Sequence, residues 1–333
     1  MLKPKLIKTL LFAVLPTVVW LAGNFQTGFC QTVQPVLFAP GVVSTEFNET
    51  SATFTPDRKT VYFTRSDVQF TDNTILESHF KNGKWSEPQV ASFSGVWRDS
   101  EPHVSPDGSK LFYVSNRPAS GDKPLVMSFN GQTHDGANIW YVEKKSNGWG
   151  KPVHIAGAIN EFPSVYNPSI ARSGTLYFSG VLPDDPTKNQ IYRSVPVGEV
   201  YGKPERVSFS DSKWHHIDPT IDPDEQFMIF GSNRPGTMGN SFDLFICFQK
   251  NGNWDEPVNL GETVNSPALE NAPVLAPDGK TLYFTSARPG IGKFPKQKRE
   301  SYAEVTKRLR QPDNGSRNIW QVDITFWLEK GLK

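Results

Sequence analysis

The sequence predicts an all-β fold, a five-bladed β-propeller of four-stranded blades. Three observations predict it. One unit recurs five times: an apolar strand, a tight turn and a second strand rich in β-formers. It reads SATFTPDRKTVYFTRS at Ser51–Ser66, EPHVSPDGSKLFYVSNRP at Glu101–Pro118 and NPSIARSGTLYFSG at Asn167–Gly180. It returns as DPTIDPDEQFMIFGSNRPG at Asp218–Gly236 and NAPVLAPDGKTLYFTSARPG at Asn271–Gly290. Turn anchors at Asp57, Asp107, Ser173, Asp224 and Asp278 recur every ~50–65 residues, a propeller-like period with insertions. The second strands (VYFT, LFYV, LYFS, MIFG, LYFT) are apolar on both faces, as a strand sandwiched between neighbouring layers must be.

The remaining strands follow in order. In the first repeat a third strand covers Thr74–Phe80, and Asn82-Gly83 marks a hairpin into a fourth. Asn147-Gly148-Trp149 and Asn251-Gly252-Asn253-Trp254 repeat that ending, and Tyr201-Gly202-Lys203-Pro204 replaces it in the third unit. The repeats span about 48–93, 99–156, 164–209, 216–260 and 269–324. The fifth lacks an outer strand, while 33–43 forms an orphan apolar strand. Pairing the two closes the ring and covers an exposed edge. A six-bladed ring is the alternative, and it needs a unit that the sequence does not display.

Residues 1–30 read as a signal peptide. Lys3, Lys5 and Lys8 precede the apolar run LLFAVLPTVVWLAG, and Gly28-Phe29-Cys30 supplies a cleavage site after Cys30. Phe29 is bulky where a lipoprotein signal wants a small residue, so a lipid anchor at Cys30 is the lesser reading. Cleavage leaves 31–333 as one propeller domain, periplasmic or secreted, with no membrane span and expected to be a monomer. It then carries 32 basic and 34 acidic side chains, a net charge of −2, which does not suit nucleic acid. Cys247 is then the lone cysteine, so packing rather than disulfides must hold the fold.

These motifs resemble the Pro-Asp repeats of TolB-like propellers, with the pattern SPDGxxLYFxSxRPG followed by xxIW and NGxWxxP. The resemblance covers about 35–325 and implies an exported interaction module that contacts an envelope protein or a glycan, without chemistry of its own. There is no room after residue 30 for TolB's additional N-terminal domain.

Strand order places every tight turn at one end of the ring. The long connections, including 67–73, 119–137, 182–189, 237–242 and 291–317, fall at the other. Entering first strands at that end are Trp97-Arg98-Asp99-Ser100-Glu101 and Trp214-His215-His216-Ile217-Asp218, with Asn167 in a similar place. With His103, the residues Trp97, Arg98, Asp99, Glu101, Asn167, Trp214, His215, His216 and Asp218 form a candidate ligand site. Tryptophan offers an apolar stacking face, and carboxylates and amides hydrogen-bond to hydroxyls. His216 and Asp218 alternate onto one strand face, with His103 near, but the spacing matches no known metal site, and neither metal nor cofactor is expected. Arg117, Arg234 and Arg288 are expected to bond Asn138, Asp243 and Asn318 of the same blades and hold the long loops. Lys293–Arg310 carries seven basic residues against Glu300 and Glu304 and has helical character from Ser301. No nucleophile elbow, zinc-helix or phosphate-loop motif occurs. The expectation is a non-catalytic binding or scaffolding module. The alternative is a glycan hydrolase using Glu101 and Asp218.

Overall fold

The computed structural model describes residues 34–129, 132–181, 188–239, 241–290 and 295–331. The signal peptide and its cleavage after Cys30 lie outside the described residues, as does Lys293. Val33–Lys333 forms one compact unit.

That unit is a five-bladed propeller. In blade 1 the antiparallel order is Asn48–Phe54, Thr60–Ser66 and Asn73–Lys81, edged by Lys84–Trp85 and Gln89–Val90. Blade 2 follows with Asp99–Val104, Lys110–Ser115, Asn138–Lys145 and the outer segments Gly148–Trp149 and Val153–His154. Blade 3 has Val165–Ile170, Leu176–Val181, Asn189–Ser194 and Glu205–Arg206. Blade 4 has His216–Ile221, Phe227–Ser232 and Asp243–Lys250, edged by Asn253–Trp254 and Val258–Asn259. The five first strands neighbour one another around the axis.

The apolar cores lie between blades, which explains why second strands are apolar on both faces. Tyr62 and Ile75 of blade 1 meet Leu111 and Tyr113 of blade 2. Phe112 and Ile139 of blade 2 meet Phe178 and Tyr192 of blade 3. Outer tryptophans bridge the same seams: the indole N–H of Trp149 donates to the Tyr62 hydroxyl at 2.9 Å, and Trp254 meets Tyr177 edge-on.

Blade 5 comprises Glu270–Leu275, Thr281–Ser286 and Asn318–Asp323, and its fourth strand is Val36–Leu37 from the other end of the chain. The closing strand is shorter than the apolar run suggests. Pro40 has no N–H to continue a ladder, and Gly41 turns at φ 80°. The chain therefore folds back, with Val43 N–H on the Ala39 carbonyl. Closure is still dense. Phe38 N–H bonds the Ile319 carbonyl at 2.9 Å, and the Ser44 hydroxyl bonds the same carbonyl at 3.0 Å. The Phe38 ring is 6% exposed and packs edge-on against Phe54, Trp85 and Tyr283.

A capping box formed by Ser301 and Glu304 opens helix α1 (Tyr302–Leu309), and helix α2 (Thr325–Gly331) ends the described chain. Among the described residues no helix is long and apolar enough to cross a membrane.

Because Phe38 ties the first and last blades, Phe38→Ala should lower unfolding free energy by about 3–5 kcal/mol. Val36→Ala, at a 53% exposed position of the same strand, should stay within about 0.5 kcal/mol. Equal costs in denaturant titration would show that the strand closes the ring through its backbone alone.

Candidate functional site

Each inner strand carries a β-bulge at the same place. The register slips between Thr50 and Thr53, Ser100 and His103, Tyr166 and Ser169, Ile217 and Thr220, and Asn271 and Val274. At each slip one residue adopts a left-handed backbone: Ser51 (φ 56°), Glu101 (57°), Asn167 (47°), Asp218 (56°) and Ala272 (46°). Such a conformation costs a non-glycine residue about 1–2 kcal/mol. A bulge re-aims the side chain it carries, and here all five residues line one cavity of 210 Å³. Phe70, Asn189 and Arg317 line it too, so it opens at the long-loop end.

Asn167 couples the two acids. Its backbone N–H donates to Glu101 Oε2 at 2.6 Å and its side-chain amide donates to Asp218 Oδ1 at 2.5 Å. Asp218 Oδ2 accepts from the Asn271 amide and from the Ala272 backbone N–H, both at 3.0 Å. Burial pushes the Glu101 carboxyl up to about 8, helped by the charge of Asp218 and opposed by the Asn167 N–H and Arg98. Burial raises Asp218 to about 6, against the pull of Ala272, Asn271, Arg317 and Asn167. Burial therefore favours the protonated form more strongly at Glu101 than at Asp218. Asn167 donates to Glu101 Oε2, so a proton on this carboxyl would sit on Oε1.

The remaining wall is polar with one aromatic plate. The Arg317 guanidinium lies 4.4 Å from the Phe70 ring centroid. Ser51 Oγ, Asn73 Oδ1, Asn189 Oδ1 and Asn271 Oδ1 are buried oxygens without a hydrogen-bond partner among the described residues. A cavity lined this way offers acceptors, an acid O–H and a cation to a hydroxyl-rich ligand. Sequence reasoning missed Arg317, Phe70, Asn73 and Asn189. Phe70 and Arg317 belong to long connections, while Asn73 and Asn189 open third strands, and the one signal for all four was position at the long-loop end.

The other candidate residues disperse. Trp97 and Arg98 lie on the same end, in a neighbouring groove. Asp99 is fully buried within its blade, bonded by the Ser94 hydroxyl at 2.9 Å, and burial raises it to about 6. His103 lines a separate 260 Å³ cavity with Pro56, Pro106, Pro223 and Pro277, at the tight-turn end, where burial lowers it to about 4. His216 is wholly buried against Phe209 and Phe230, beside the Ser232 hydroxyl, and burial holds it near 4. His215 packs edge-on to Phe242, and the Trp214 carbonyl accepts from Gln190. The expectation that His216 and Asp218 share a face with His103 nearby is overturned, because the bulge breaks the two-residue alternation on which it rested.

The arginines also find partners other than those expected. Arg288 bonds Glu270 at 3.1 Å and the Ser286 hydroxyl at 2.9 Å, while the Asn318 amide turns to Glu49 and the Thr45 carbonyl. Arg234 pairs with Glu256 at 3.1 Å, and Asp243 accepts from Asn259 and Met238 N–H. Arg117 lies over the Trp140 ring, and Asn138 meets His154. In blades 2 and 5 the counter-charge is the acid that opens the inner strand, Asp99 for Arg117 and Glu270 for Arg288. The arginine reaches back across the first strand pair, not forward to the third.

No family model matches the chain, and no curated protein matches it. Among solved structures, it is similar to the endo-arabinase of Bacteroides thetaiotaomicron VPI-5482, at 13% identity over 85% of this chain and 96% of that one, with a TM-score of 0.51. It also resembles TolB from Acinetobacter baumannii, at 15% identity over 84% of this chain and 55% of that one, with a TM-score of 0.44. A protein of unknown function from Dyadobacter fermentans DSM 18053 aligns at 11% identity over 88% and 98%, with a TM-score of 0.49. At these identities the likeness extends to the fold alone.

The raised carboxyls set a pH dependence. Glu101 ionises near 4.5 when unfolded and near 8 when folded, so the native state holds the extra proton in between. Stability should therefore fall as pH rises through that window, and Asp218 adds the same sign between 3.8 and about 6. Glu101→Gln should flatten the profile and gain roughly 2–4 kcal/mol over wild type at pH 8. Parallel unfolding profiles from pH 4 to 9 would refute the assignment.

Proposed function

We propose that this chain is an exported TolB-like binding module that takes a hydroxyl-rich sugar unit of an envelope glycan at the long-loop mouth of its channel. The observation that carries the proposal is the ring of left-handed residues that sets Glu101, Asn167 and Asp218 around one small polar cavity. Asp218 has both oxygens engaged by protein donors, which suits an acceptor that orients a ligand more than a free nucleophile. The cavity has room for one ring-sized polar ligand, and protein docking would ask for a broader apolar patch. The basic, signal-like N-terminal stretch supports export to the periplasm or beyond.

One observation favours a second reading, glycan hydrolysis. Two neighbouring carboxyls, both bonded to Asn167 and pushed up to different extents by burial, are the kind of pair that acid–base cleavage of a glycosidic bond uses. Glu101 would then be the acid and Asp218 the base.

Glycan-array binding followed by calorimetry decides between them. Asp218→Asn and Glu101→Gln should each weaken binding at least tenfold, and the wild type should release no reducing sugar from the glycan it binds. Sustained turnover abolished by either variant would install the hydrolase reading. A wild type that binds no glycan would remove both.

A further inference from the structure

The mouth cavity does not end at the acid pair. Phe70, Asn73, Ser100, Glu101 and Tyr166 line it and also line a second cavity of 240 Å³. That second cavity shares Arg98 and Asn116 with a third, of 370 Å³, whose far wall is Trp97. The three therefore adjoin one another from the channel mouth outward along blades 1 and 2. The arrangement is built rather than incidental. Asn116 Oδ1 accepts the Arg98 backbone N–H at 3.0 Å and fixes the passage between the second and third parts. Asn73, 9% exposed, has no partner for its Oδ1 among the described residues where the first and second parts meet. Trp97 is half-buried at the open end beside Val96, which is 82% exposed.

Resting on the glycan reading above, we infer that the site binds a linear oligosaccharide end-on, with its terminal unit at Glu101, Asn167 and Asp218 and its later units running past Arg98 to stack on Trp97. The axis end is ring-sized and brings the Glu101 and Asp218 carboxyls together, so it accepts a chain terminus. The outer end is open and holds an indole, so it accepts a sugar face and lets the chain continue into solvent. This accounts for the distance between Trp97 and the acid pair, which a single-unit pocket leaves without purpose.

The test is calorimetry with the monomer-to-hexamer series of cellulose, chitin and arabinan fragments, on wild type, Trp97→Ala and Asp218→Asn. In the series that binds, wild-type affinity should rise about tenfold between one and three units and then level off. Trp97→Ala should abolish that rise and leave the monosaccharide affinity unchanged, while Asp218→Asn should weaken every length alike. Binding that is independent of length, or a Trp97→Ala loss equal at all lengths, overturns the inference and leaves the glycan reading standing. Binding by a peptide library with no response to any of the three series overturns the glycan reading itself.

Discussion

The structure depends on one left-handed residue in each inner strand. A regular strand next to the axis would alternate its side chains and leave backbone N–H groups facing neighbouring blades with nothing to meet. The bulge resolves this through hydroxyls of the preceding blade. Glu101 N–H finds Thr64 and Asp218 N–H finds Ser179. One step further along, Val104 N–H meets Thr53, Ile221 N–H meets Ser169 and Leu275 N–H meets Thr220. The blades are joined at the axis by these side-chain acceptors, without a continuous ladder. In four of the five bulges the next residue is proline, which has no N–H of its own to satisfy there.

Ring closure and the site are physically one problem. The strand that receives Val36–Leu37 at Trp320 and Gln321 begins directly after Arg317, the mouth's cation. Glu49 N–H bonds the Arg317 carbonyl at 2.7 Å, and Asn318 spreads its amide over Thr45, Phe47 and Glu49. Anything that loosens the seam between blades 5 and 1 therefore shifts the guanidinium that sits over Phe70 and faces Asp218. Closing by a strand borrowed from the other terminus puts the seam's hydrogen bonds directly behind the ligand wall.

The sequence made the fold legible because each blade repeats its turn chemistry and its two-faced second strand. Asp57 and Asp107 accept a nearby hydroxyl and a backbone N–H two residues on, and Ser173 does a similar job in the one blade without Pro-Asp-Gly. The site was half legible. Glu101, Asn167 and Asp218 were visible as matching places in different repeats. His103 and His216 were misplaced because strand alternation was carried through a bulge that no local pattern announces. Arg317 and Phe70 were invisible because they come from connections that share nothing between blades. The arginine partners failed for a related reason: sequence gives neighbours along the chain, whereas Arg288 reaches across a strand pair to Glu270.

The five axial positions give this mouth a different chemistry from the opposite end of the channel. A left-handed position asks for glycine, asparagine or aspartate, and of the five Asn167 and Asp218 meet that preference while Glu101 does not. Glutamate and aspartate at two of the five bring buried carboxyls near enough that each must be held by protein donors, and Glu101 stays protonated well above its ordinary range. Glu101 works against stability as pH rises, since a glutamine in its place could still accept the Asn167 N–H without a carboxyl to ionise, whereas Asp218 accepts at both oxygens and an amide could not. The opposite end of the channel shows what purely structural residues look like here: four prolines from the blade turns, and an exposed Arg172–Asp224 pair at 2.9 Å. A ring that needed only to close could have used such residues at both ends, whereas this mouth carries two acids whose carboxyls burial pushes up.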